Sequence, residues 1–266
     1  MKKINIMFFL ILAIAFLACK QETAVSEKEE EKTVTGAKET EEFKKKIEAG
    51  VTKELTKREN AATLAELKNE ISKYKKEIDD AKAGYEATTS GSKKAITIPA
   101  EVTDVTSSDL EMIYSGLGYD NNTIGKLHDS IVALNISSGK TDEIKFANGV
   151  LKLLKSIGKD TKNVLEVYLG DTGSLSKIEN DKAKMESAKI KVKEFIDARK
   201  TLITALRAQI GAAETAKSNP SNLKTELEKI SDTTPNVSSS SAKGYYWSKY
   251  NKEVKAKAVE IGDLVK

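Results

Sequence analysis

Few residues in this chain are equipped for covalent or metal chemistry, and their positions are informative. Cysteine occurs once, at Cys19, directly after Ala18 and directly before the polar run that begins at Lys20. Histidine also occurs once, at His128 beside Asp129, within an apolar pattern of helical period. A single imidazole with no cysteine or second histidine near it cannot complete a histidine-rich metal site, so His128 reads as a surface or boundary residue. Gly116-Leu117-Gly118 has the first two glycines of a dinucleotide loop, but it follows a helical pattern and lacks the third glycine. These glycines read as helix ends. No phosphate-binding G-x-x-x-x-G-K-[ST], zinc-binding H-E-x-x-H or nucleophilic G-x-S-x-G is present. The many carboxylates are spread along helix faces as partners for lysines, and no two stand out as an acid/base couple. The expectation is a protein that is not an enzyme and uses neither cofactor nor metal. The densest aromatic cluster is Tyr245-Tyr246-Trp247-Ser248-Lys249-Tyr250, which holds the one tryptophan. Such residues pack a helix onto a core or anchor an interface. One face could do each, so Tyr245, Tyr246, Trp247, Lys249, Tyr250 and Lys252 are candidate ligand-binding residues.

The surroundings of Cys19 give it a specific chemistry. Lys2 and Lys3 form a basic head, Ile6 to Leu17 is apolar, and the chain then turns polar. This is a secretory signal whose apolar part is too short to remain as a membrane span. A small residue followed by cysteine resembles the lipobox of bacterial lipoproteins, with Phe16 and Leu17 in place of its usual leucine and small residue. That resemblance implies cleavage before Cys19, a thioether from its thiol to diacylglycerol, and further acylation of palmitate type. Residues 1–18 would be the signal peptide. At ~0.8 kcal/mol per buried methylene, one acyl chain holds a protein only marginally, whereas two or three hold it durably. No later segment is apolar enough to span a bilayer. With no second cysteine for a disulfide, stability must come from a packed core.

The elements behind that anchor read as helical. Charged residues make up 32% of the chain and the formal net charge is +4, so losing Lys2 and Lys3 leaves +2. The signs are interspersed, which argues against a nucleic-acid groove. Three prolines and a Lys/Glu/Ala/Leu/Ile-rich composition favour helix. Residues 19–38 read as a lipidated, disordered tether, which would span about 25 Å as a coil and about 65 Å fully extended. From Glu39 to Ala83 apolar residues recur at helical spacing: first Phe43, Ile47, Val51 and Leu55, then, past a polar break near Asn60, Leu64, Leu67, Ile71, Tyr74, Ile78 and Ala81. The second run is a seam for the protein's own domain or for a coiled coil with another chain. Residues 84–107 read as a loop, including the strand-like Ala95–Pro99. Ser108 and Glu111 have capping-box spacing. Short helices follow, separated by Gly118, Ser137–Gly139 and Gly158, and Asp120 can open one of them. The longest pattern, about Leu175 to Lys217, would make a helix of roughly 60 Å. A short helix after Pro220 and a terminal helix over about 243–264 complete an all-α domain, 39–266, of six or seven helices with one long central helix.

The stretch Asp109-Leu-Glu-Met-Ile-Tyr-Ser-Gly-Leu-Gly-Tyr-Asp-Asn-Asn-Thr-Ile-Gly-Lys-Leu127 resembles the helix-turn-helix of the Borrelia outer-surface lipoproteins typified by the complement regulator-acquiring protein CspA. Tyr114, Ser115, Leu117, Tyr119, Ile124 and Leu127 match its I/L-Y-S-x-L-x-Y turn and I-x-x-L helix, whereas Gly116, Gly118 and Gly125 depart from it. The similarity covers roughly residues 105–262 and includes the tyrosine-rich last helix. It implies an all-helical domain on the outer membrane, held through Cys19 and facing outward. It also implies a host ligand such as a complement regulator, a complement component or plasminogen, and possible homodimers through the C-terminal helix. Lys266, with a free carboxylate beside its ammonium, resembles the ligands of kringle lysine sites, which adds it to the candidate ligand-binding residues. The rival expectation is an envelope lipoprotein that links structural components and has no host ligand.

Overall fold

A computed structural model describes residues 30–266 except Ser90, Ser138, 171–172 and 234–237, with side chains from Glu41 onward. Cys19, the signal segment and residues 19–29 of the expected tether therefore lie outside the described residues. The architecture is all-α, and no strand forms among the described residues. The described residues form seven helices: α1 Glu30–Glu86, α2 Leu110–Gly116, α3 Asn121–Ala133, α4 Thr141–Lys162, α5 Lys182–Thr215, α6 Pro220–Ser231, and α7. The last comprises Tyr245–Lys249, a π-helical stretch Tyr250–Lys255, and Ala256–Leu264. A second π-helical stretch, Asn163–Tyr168, continues α4.

Packing divides the chain into two units, Met1–Leu55 and Thr56–Lys266. In the first, the described residues are all helical, and Phe43, Ile47 and Leu55 are 58%, 37% and 47% exposed. One expectation fails in α1, which spans Glu30–Glu86: no break occurs at Asn60. Asn60 is buried instead, and its Nδ2 donates to the Asn180 carbonyl at 2.9 Å. The polar residue that looked like an interruption is a tie to the segment before α5.

In the second unit, α1 from Thr56 buries Leu67, Ile71 and Tyr74, so the seam serves the protein's own core. Its partner is α5, and the ion pairs give the register. Lys182 meets Glu59 at 2.9 Å, Lys189 meets Glu66 at 2.6 Å, and Lys200 meets Glu77 at 2.5 Å. The numbers in every pair differ by 123. A constant difference over two turns and then three more means that the helices run parallel without slipping. The crossing of α5 with α7 follows the opposite rule. Lys191–Glu260 and Lys257–Glu194 have a constant sum, so those helices are antiparallel. Exposed pairs of this kind contribute only ~0–1 kcal/mol each. They select a register, while the apolar core between the helices supplies the stability.

Glycines set the closest approaches. A Cβ at Gly116 on α2 would collide with the Leu154 backbone on α4, and a Cβ at Gly158 on α4 would collide with the Met112 backbone on α2. The two helices thus touch backbone to backbone through a reciprocal glycine pair. Gly158 was expected to end a helix, but α4 runs straight through it. Sequence alone does not separate a glycine that stops a helix from one that lets another helix come close. α5 is shorter than the expected 175–217 because a 3-10 turn, Ser174–Lys177, precedes it, and Asp181 caps it by accepting from Lys184 N–H at 3.0 Å.

The chain reverses after α2 at a closely bonded turn. Tyr119 N–H donates to Tyr114 C=O at 2.8 Å and Gly118 N–H to Ser115 C=O at 2.9 Å, the paired bonds of a Schellman cap. Gly118 has φ 62° as such a cap requires, and Tyr119 follows at φ 55°. For a tyrosine the left-handed conformation costs ~1–2 kcal/mol. Burial of its ring and a 2.6 Å bond from its hydroxyl to Glu111 Oε1 offset that cost. Glu111 is thereby occupied and is not the capping-box residue expected with Ser108. That bond forms two residues earlier, where Thr106 N–H donates to Asp109 Oδ2 at 2.9 Å. Asp120 caps α3 as expected, accepting from Thr123 N–H at 2.7 Å.

Two arginines of α5 close the turn. Arg199, 5% exposed, donates through Nη2 to Ser115 C=O at 2.8 Å and through Nε to Thr161 Oγ1 at 2.8 Å. Arg207 donates to Leu117 C=O through Nε at 3.1 Å and Nη2 at 2.8 Å. These carbonyls are the negative end of the α2 dipole, where a cation is stabilising. The contrast among glycines is testable by denaturant titration. Gly158→Ala forces α2 and α4 apart and is expected to cost about 1–3 kcal/mol. Gly84→Ala, on α1 with nothing within 4 Å of the new methyl, is expected to stabilise by about 0.5–1 kcal/mol.

Candidate functional site

The candidate residues at the C-terminus lie on α7, and α7 is laid against α5 and α6. Gly244, at φ 73°, turns the chain into it. From there Trp247, Tyr250, Val254, Ala258, Ile261 and Val265 recur at three- and four-residue steps, and all are buried. The aromatics first proposed as binding residues are mostly packing residues. Tyr246 and Tyr250 are 5% and 4% exposed, and Trp247 is 8% exposed. Tyr246 donates to the Ala205 carbonyl at 3.3 Å. Trp247 sits edge-on to Tyr250, with centroids 5.8 Å apart. Tyr245 is half-buried and edge-on to Tyr246 at 5.1 Å. The burial follows from the helical period: these side chains fall on the stripe that meets the core.

The cations of the set lie outside that stripe. Lys249 pairs with Glu253 at 2.7 Å. Lys252 is exposed. Lys266 is exposed and pairs with Asp263 at 2.5 Å, a bond that raises its pKa. The structure therefore leaves Lys252 and Lys266 exposed and Tyr245 half-buried, and it buries Tyr246, Trp247 and Tyr250.

The outer face shared by α5 and α7 is the most distinctive surface near them. The crossed pairs Lys191–Glu260, at 2.5 Å, and Lys257–Glu194, at 2.6 Å, bridge the two helices. Ile190 and Val259, each one residue before a member of the first pair, are 59% and 52% exposed. Exposed apolar side chains among paired charges have the composition of a small protein-binding patch. Sequence reading named α7 but missed this pattern, because it appears only when two helices are placed side by side. It also missed Arg199 and Arg207. The available signal was scarcity: two of the three arginines in a lysine-rich chain stand eight residues apart on one helix.

His128 Nδ1 accepts a long bond, 3.4 Å, from Thr97 N–H. Among the described residues no group of three or more His, Cys, Asp or Glu could hold a metal ion. No helix among them is long and apolar enough to cross a membrane. Tyr250 donates to Asp160 Oδ2 at 2.7 Å. Burial, reinforced by that hydrogen bond, pushes the Tyr250 phenol up, and burial also raises the Asp160 carboxyl above its ordinary 3.8.

A raised acid is penalised in the folded state once it ionises. The stability lost at Asp160 is thus absent below the unfolded value and appears as pH rises through the folded one. Asp160→Asn keeps an acceptor for Tyr250 and removes the ionisation. It is expected to raise stability at pH 7 relative to the parent and to leave it nearly unchanged at pH 3, read as the difference between denaturation midpoints. The reverse ordering would mean that the carboxylate charge stabilises the fold. No family model matches this chain, and no curated protein or solved structure matches it either.

Proposed function

We propose that this is a lipid-anchored outer-surface protein of a bacterium that binds a host protein, a complement factor or plasminogen, and acts by recruitment or masking and not by catalysis. The observation that carries the reading is the placement of the one cysteine, Cys19, between an apolar export segment and a charged run. Support for a host-facing role comes from the resemblance at residues 109–127. A long-helix scaffold whose outer faces are studded with paired lysines and carboxylates is consistent with binding by surface complementarity. On this reading the α5–α7 outer face, with Ile190, Val259 and neighbouring Lys252, is the contact surface. The buried tyrosines and Trp247 hold that face in shape.

A second reading is favoured by one specific observation. Phe43, Ile47 and Leu55, four and then eight residues apart, are exposed in the unit nearer the anchor, which fits an envelope protein that links to a neighbouring component.

Protease treatment of intact cells, with a periplasmic protein as control, separates the two. Cleavage of this protein while the control survives supports the host-facing reading, and protection until the outer membrane is broken supports the envelope reading. Metabolic labelling with palmitate is expected to mark the parent and not Cys19→Ser. Serum pull-down with the full-length protein then tests the surface. Deleting 243–266 would strip Tyr246, Trp247, Tyr250 and Ile261 from the core, so point variants are used. Ile190→Glu combined with Val259→Glu is expected to lower retention of the serum ligand about tenfold or more with an unchanged far-ultraviolet spectrum. Unchanged retention would move the contact elsewhere.

A further inference from the structure

Arg199 is capped on two edges and open on the third. Its Nε and Nη2 are spent on Thr161 and Ser115. Its Nη1 makes no hydrogen bond to a described residue, and no described carboxylate pairs with the guanidinium. Burial pulls its pKa down to about 10. A buried cation without an anion is an expensive arrangement, and Nη1 is not among the side-chain atoms sealed away from solvent without a partner, so it stays open to an incoming group. The carbonyl end of α2 compensates part of the charge but does not reach Nη1.

Arg199 is one of the residues that line a crevice between α1, α5 and the turn after α2, with a volume of about 320 Å³. That lies at the lower end of the ~300–1,000 Å³ range of small-molecule sites. Its walls are apolar or aromatic at Ile78, Ala81, Ile203, Tyr74 and Tyr119. Its other charged groups are already paired. Lys200 is bound to Glu77 at 2.5 Å, and Arg207 holds the turn carbonyls with Asp120 at 3.9 Å. Arg199 is thus a cation without an anion in a crevice whose walls combine apolar side chains with charges that are paired elsewhere.

We propose that this crevice binds a small carboxylate with a short apolar tail. The carboxylate would lie on Nη1 of Arg199, and the tail would run between Ile78, Ala81 and Ile203. A planar guanidinium edge suits a carboxylate, and the apolar walls suit methylenes. The site is independent of the α5–α7 outer face.

The test uses the full-length protein and octanoate, with octanol as a tail of the same length that carries no charge. The chain has three arginines, so side-chain Nε–H resonances give a sparse nitrogen-15 spectrum that Arg→Lys variants assign. Octanoate is expected to shift the Arg199 signal saturably, and octanol to bind about tenfold more weakly. Ala81→Phe plugs the slot from α1. Thr204→Trp plugs it from an exposed position on α5, so one of the two keeps the test valid if the other perturbs folding. Either plug is expected to abolish the octanoate shift while the ligand-free Arg199 signal persists. The proposal is overturned if octanoate causes no saturable shift, if octanol binds equally well, or if a folded plugged variant still responds.

Discussion

The fold depends on how a helix end is neutralised inside a protein. The last carbonyls of α2 point into the body of the molecule, where water is not at hand to donate hydrogen bonds to them. Arg199 and Arg207 reach across from α5 to satisfy them. Because both guanidiniums come from one rigid helix, they fix where α2 stops and how α3 departs, and they pin that turn against α5. Arg199 also reaches Thr161 on α4, so a single side chain ties three helices at one point. Lysine could not do this. Its ammonium is a point charge, whereas the guanidinium plane presents donors to two acceptors at fixed angles.

Around that point two kinds of contact divide the work. Core residues and glycines decide how close helices come: Gly116 and Gly158 let α2 and α4 meet along their backbones. Surface charges decide how helices slide: one run of pairs along α1 and α5 keeps a constant difference in residue number, and another on α5 and α7 keeps a constant sum. The first kind carries most of the energy and the second most of the alignment. The long α5 belongs to both sets, which makes it the spine.

Much of this was legible in the sequence. The period of the apolar residues identified the all-α class, the seam on α1, the long α5 and the short α6 after Pro220. Asp120 and Gly118 marked a helix start and a helix end for reasons of local chemistry. What the pattern could not yield depended on partners distant in the chain. Asn60 looked like a break because its acceptor, Asn180, is 120 residues away. Gly158 looked like a stop because the helix it admits is α2. Ser108 and Glu111 looked like a cap, but Tyr119 claims Glu111. The aromatic run at 245–250 could be read either way, and the helical period resolves it toward the core. The residues that carried the resemblance at 109–127 turn out to be structural: Tyr114, Leu117 and Tyr119 are buried around the turn. A match there reports on folding, which is why ligand identity was not legible from it.

The ion-pair runs have one more consequence. Each pair that bridges α1 to α5 or α5 to α7 has a carboxylate on one helix and a lysine on the other, and most of these side chains are well exposed. Exchanging the two members of a pair keeps the attraction and the register, and it barely touches the core. The charge pattern that the molecule shows to its surroundings can therefore drift in sequence two residues at a time. Meanwhile the arginines, the glycines and the buried stripe of α7 stay fixed. Descendants of such a chain would share a backbone long after their surfaces had ceased to look alike.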